Sequence, residues 1–120
     1  MENLSDSQVV FLQKYHQLLE GMDEALGYLK EMPDVNQSDI AETLFADLVK
    51  AMQQLHESHH QLTSLIEVNN LEQFDSLVQS MSKWFEPEED KSRLLLDEVV
   101  PTFKEWKGKM DQRVEPYILH

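Results

Sequence analysis

The chain has 120 residues, no cysteine, and a net charge of -13 from 23 Asp and Glu against 10 Lys and Arg. That length suits one core of ordinary size, so 1–120 is expected to form a single helical-bundle domain. The missing cysteine excludes disulfides and thiolate metal sites. The acidity argues against nucleic acid or an anionic membrane as partner, since both call for basic groups that displace counterions or meet headgroups.

The start, Met1-Glu2-Asn3-Leu4-Ser5-Asp6, has neither a basic n-region nor an apolar h-region. No apolar run approaches the ~20 residues of a membrane span. A cytoplasmic protein is the expectation. Charge is uneven along the chain: residues 1–90 carry 18 acids and 4 bases, and residues 91–120 carry 5 acids and 6 bases. The last segment is therefore the electrostatic complement of the rest and is expected to dock on it.

Three glycines, four prolines and apolar residues recurring every three or four positions predict an all-α fold, a four-helix up-down-up-down bundle. The first predicted helix starts near Ser5, which has capping-box spacing to Gln8, and runs to about Met32, where Pro33 stops it. Its stripe is Phe11, Tyr15, Leu18, Leu19, Met22, Leu26 and Leu29. Ser38 caps the second, whose stripe is Ala41, Leu44, Leu48, Met52, Leu55, Leu62 and Ile66 and whose end is set by Asn69-Asn70.

A short third helix, about Leu71 to Phe85, is expected to bury Phe74, Leu77, Val78, Met81, Trp84 and Phe85. The fourth is expected to start in Glu86-Pro87-Glu88-Glu89-Asp90, with the proline in its first turn and the acids at the positive end of its dipole. It carries Leu95, Leu96, Val99, Phe103, Trp106, Met110 and Val114, with a kink near Asp97 to Pro101 or a break there, and the tail leaves the helix at Pro116. The long hairpin of the first two helices, each about 40 to 45 Å, outruns the third. Its bare end has to be covered by the fourth helix, the tail or another chain.

One catalytic pattern stands out. His56-Glu57-Ser58-His59-His60 matches the H-E-x-x-H arrangement in which two histidines one turn apart hold zinc and the glutamate activates its water. Helical phase opposes that use. With Leu48 at zero and about 100° per residue, the stripe lies within about 40°, His56 near 80°, His60 near 120° and Glu57 near 180°. The histidine in the stripe, near 20°, is His59, which the motif does not use. A third ligand is missing as well: no downstream H-x-x-G-x-x-H follows, and His16 falls on the polar side of the first helix. A di-iron bundle needs a second Glu-x-x-His, and the last two helices hold no histidine.

No catalytic, cofactor-binding or metal-ligating residue is therefore assigned, and no cofactor. His59 is expected to be a core histidine partnered by Tyr15 or Tyr28. Trp84, Phe85, Phe103 and Trp106 are expected to be core aromatics, and Met22, Met52, Met81 and Met110 core gap-fillers. Leu94 and Tyr117-Ile118-Leu119 have no evident place in the stripes; they are the best candidates for a partner surface or dimer contact, the alternatives being docking of the tail on its own fold or simple exposure. In size, acidity and helical hairpin the chain is similar in type to small bacterial export chaperones and other helical adaptor proteins. The leading functional expectation is a non-catalytic protein acting through protein contacts or self-association. The alternatives are a metal-dependent hydrolase built on His56, Glu57 and His60, and an acidic inhibitor of a basic partner.

Overall fold

The computed structural model describes residues 4–68 and 71–118. Helix α1 is Asp6–Glu31, α2 is Asp39–Leu65 and α3 is Leu71–Ser82. The long C-terminal helix, α4, opens as one α-turn, Lys91–Leu94, passes through a π-helical turn, Leu95–Val99, and continues as Val100–Ile118. Neighbouring helices run antiparallel in an all-α bundle measuring 50 × 23 × 20 Å, and no described helix is long and apolar enough to cross a membrane.

Local chemistry sets the starts of α1 and α2 as the sequence indicates. Ser5 Oγ accepts from the Gln8 N–H while Gln8 Oε1 accepts from the Ser5 N–H, and Ser38 Oγ accepts from the Ala41 N–H. The ends differ. Helix α2 stops at Leu65, with Ile66 as its C-cap, and Asn69-Asn70 lies outside the described residues. Helix α3, on which Val78 is exposed, gives way to a 3-10 turn, Lys83–Phe85, which buries Trp84 against Phe45, rings stacked 4.1 Å apart, and leaves Phe85 exposed.

Helix α4 starts at the very end of the acidic stretch, so Pro87 precedes the helix and is not in its first turn; neither Glu86, Glu88 nor Glu89 begins it. Asp90 does, because its carboxylate accepts from the N–H groups of Ser92 and Arg93. Asn36 clips this start onto the α1–α2 connection by accepting from the Lys91 N–H at 2.7 Å and donating to Asp90. The Glu86, Pro87, Glu88 and Glu89 stretch stays outside as a turn closed by Glu86 N–H to the Lys83 carbonyl and Glu89 N–H to the Glu86 carbonyl.

The expected kink is a π-turn. The Val100 N–H reaches the Leu95 carbonyl, five residues back, so one extra residue is accommodated just before Pro101, which has no N–H to give and whose ring needs room. The consequence is a register change. Buried positions fall as two adjacent pairs five residues apart, Leu94 with Leu95 and Val99 with Val100, before α-helical spacing resumes at Phe103, Trp106, Met110 and Val114. Leu94 is thus core, not a partner surface, and Leu96 turns outward.

The tail is a second correction. Helix α4 runs through Pro116 to Ile118, and Tyr117 and Ile118 pack half-buried on the core, while Leu119 lies outside the described residues. Helix α4 runs antiparallel along α1, with Asp111 and Glu115 beside His16, so this last turn lies toward the α1 N-terminus. Burial of Tyr117 and Ile118 offsets the hydrogen bond that Pro116 cannot make. Replacing Pro116 with Ala should restore that bond and raise stability by about 1–2 kcal/mol, after the gain in unfolded-chain entropy is subtracted. An unchanged or lower urea midpoint would show that the last turn contributes nothing.

Charge guides this docking as the sequence suggests. Lys91 pairs with Glu42, Lys107 with Glu20 at 2.9 Å, and Lys104 approaches Asp23 at 4.0 Å. Smaller departures concern the stripes: Leu12 and Phe45 are fully buried, whereas Phe11, Leu18 and Leu44 are half-buried. Phe45 sits at the edge of the α2 stripe and is drawn in by Trp84.

Candidate functional site

The histidine-rich stretch lands on α2 as its phases require. His59 is buried, at 6 % exposure, and its Nε2 lies 2.8 Å from Tyr15 Oη. Phe74 meets its ring edge-on at 4.6 Å, and Trp106 stands 6.0 Å away. Burial, with the neighbouring His56 adding to it, holds the His59 pKa down at about 4 against the opposing pull of Asp75. Burial, and then Asp111, pushes the Tyr15 phenol above its ordinary value, so its proton stays on and both rings remain neutral. This is a hydrogen-bonded polar pair inside an aromatic cluster, a structural element that pins α1 to α2.

His56, Glu57 and His60 are exposed. His56 lies against the Phe74 ring, centroids 6.3 Å apart and nearly parallel. Among the described residues, the His, Asp and Glu groups close enough to share an ion do not include His56 or His60.

That group is His16, Glu20 and Asp111, and it corrects the reading of His16 as a residue of a merely polar face. The polar side of α1 is packed against the polar side of α4. His16 Nε2 lies 3.4 Å from Glu20 Oε1, 3.6 Å from Asp111 Oδ1 and 3.8 Å from Glu115 Oε1. Sequence does hold a signal for it, since His16/Glu20 and Asp111/Glu115 are both i,i+4 pairs. Nothing in one dimension says that the two pairs face each other.

A groove of about 710 Å³ runs between α1 and α2, lined by Gly21, Ala25, Tyr28, Ile40, Thr43 and Leu44 and edged by Glu24, Asp39 and Asp47. Tyr28 and Ile40 are the apolar anchors, 60 % and 65 % exposed. Tyr28 therefore does not partner His59. The rim contains three carboxylates and no base. A second groove of about 700 Å³ continues along the same two helices past Leu18 and Phe11. The signal for this face is Ile40, an apolar residue in the first turn of α2 about 80° off the stripe.

Residues 10–109 match the family model described as a domain of unknown function, DUF8042. The chain belongs to the DUF8042 family. No curated protein and no solved structure matches it. The DUF8042 span takes in the α1–α2 groove, the Tyr15–His59 pair and the π-turn, whereas Asp111, Glu115 and Pro116 lie past its end.

Proposed function

We propose that the protein is a non-catalytic acidic bundle that works through protein contacts, receiving a basic amphipathic helix of a partner along the α1–α2 groove. The observation that carries this reading is the coincidence of two exposed apolar anchors, Tyr28 and Ile40, with a rim made only of carboxylates, Glu24, Asp39 and Asp47. An amphipathic helix seats its apolar ridge in such a groove, and lysines or arginines flanking the ridge meet the rim. A second copy of this chain is disfavoured as occupant because its own net charge is -13. The adaptor, chaperone-like and inhibitor readings share this geometry and differ only in what happens to the partner.

Covering Ile40 contributes about 1.5–3 kcal/mol, so Ile40→Ser should weaken binding by about tenfold or more. The test places a photo-crosslinking amino acid at position 40 and, as a control, at Gln53 on another face of α2. Mass spectrometry then identifies the peptide joined to it in cell lysate at low and high salt. A Lys/Arg-rich helical segment captured at position 40 alone, and released by salt, supports the proposal. Equal capture at Gln53, a second copy of the chain, or an acidic or uncharged segment overturns it.

A further inference from the structure

We infer that α1 and α4 together form a divalent-metal site of the zinc class, with His16 Nε2, Glu20 and Asp111 Oδ1 as donors and the Glu115 carboxylate beside His16. The site stands apart from the α1–α2 groove, so its failure would leave that proposal untouched. His16 and Glu20 lie one helical turn apart on α1, Asp111 and Glu115 one turn apart on α4, and the antiparallel helices bring the two pairs face to face. Zinc bound at about 2.0–2.2 Å holds tetrahedral donors about 3.3–3.6 Å apart. The separations from His16 Nε2 to the three carboxylates, 3.4, 3.6 and 3.8 Å, are close to that edge, and the donors of His16, Glu20 and Asp111 all lie within 4.8 Å of one another.

Two further observations point to a cation. His16 Nε2 and Asp111 Oδ1 are buried atoms without a hydrogen-bond partner, and they are the two that face each other. A buried polar atom without a partner has lost its water and gained nothing in return, and a shared ion satisfies both at once. Charge agrees as well. Lys107 donates to Glu20 at 2.9 Å and to Asp111 Oδ2 at 2.7 Å, leaving Asp111 Oδ1 free. Three carboxylates and this one ammonium sum to two negative charges, which a divalent ion neutralises. An imidazole with carboxylates suits zinc and its neighbours better than magnesium or calcium, which prefer oxygen alone. Bound there, the ion ties α1 to the end of α4.

Zinc chloride titrated calorimetrically into the full chain, without a histidine tag, tests this. One zinc per chain is expected, with a rise in Tm at excess zinc. His16→Gln and Asp111→Asn should each weaken binding by at least about tenfold, since even outer-shell changes cost that much. The double variant His56→Ala/His60→Ala should bind as before. Lys107→Gln, which removes the competing ammonium, should bind more tightly; this opposite sign cannot arise from a damaged fold. The inference is overturned by the absence of saturable zinc binding, by affinity unchanged in His16→Gln, by loss of zinc in His56→Ala/His60→Ala, or by loss of zinc in Lys107→Gln.

Discussion

Between pH 7 and pH 4 the protein is expected to lose about 3 kcal/mol of stability through His59 alone, and the paired replacement Tyr15→Phe/His59→Leu is expected to abolish that loss. The folded-state pKa of His59 is held at about 4, first by burial and then by His56, whereas the unfolded imidazole titrates near its ordinary 6.5. Within that window the unfolded chain binds a proton that the folded chain does not. Stability is therefore full above about 6.5 and falls as pH drops toward 4. Glu20, Glu42 and Asp90 also have lowered pKa values, Glu20 and Glu42 chiefly from a lysine hydrogen bond and Asp90 chiefly from the Arg93 N–H. Their contributions are lost at more acidic pH and, on exposed groups, are small.

Urea unfolding at pH 7.0, 5.5 and 4.5 separates the terms, because only the His59 slope differs between the two chains. Removing both partners of the pair should cost little at pH 7, whereas Tyr15→Phe alone strands the buried His59 Nε2 and should cost about 1–3 kcal/mol. Equal pH slopes in the parent and the double variant would mean that His59 is not held neutral by its site.

Leu94→Ala is expected to destabilise the protein by about 2–5 kcal/mol, and Leu96→Ala by less than about 0.5 kcal/mol. The two leucines are two residues apart and chemically identical, so the contrast isolates the π-turn. Leu94 is 0 % exposed and Leu96 is 48 % exposed. Were α4 an unbroken α-helix, the stripe from Phe103 through Val99 would continue to Leu95 and Leu96, and Leu94 would be the dispensable one. Comparable losses at both positions, or a larger one at Leu96, would show the α-helical register.

The helix count, the capped starts at Ser5 and Ser38, and the burial of His59 were legible because each depends on short-range chemistry or on phase along one helix. Helical phase likewise puts His56, Glu57 and His60 off the α2 core, and they are exposed. It failed at Leu94 because a period read from sequence presumes a constant repeat, and the π-turn adds a residue that no local pattern announces. It failed at Pro116 for a related reason. Helix breaking is a local rule, and here the burial of Tyr117 and Ile118 against the core overrides it.

The sequence by itself determined an acidic, cysteine-free, all-helical chain whose basic last segment docks on an acidic remainder, because composition and periodicity act on every fold the chain could adopt. Only the tertiary structure decided which surfaces meet. The α1–α2 groove with Tyr28 and Ile40, and the facing pairs His16/Glu20 and Asp111/Glu115, join residues up to 99 positions apart. Helix phase fixes which way a side chain leaves its own helix. It says nothing of what stands opposite until packing has chosen the neighbour and its axial register.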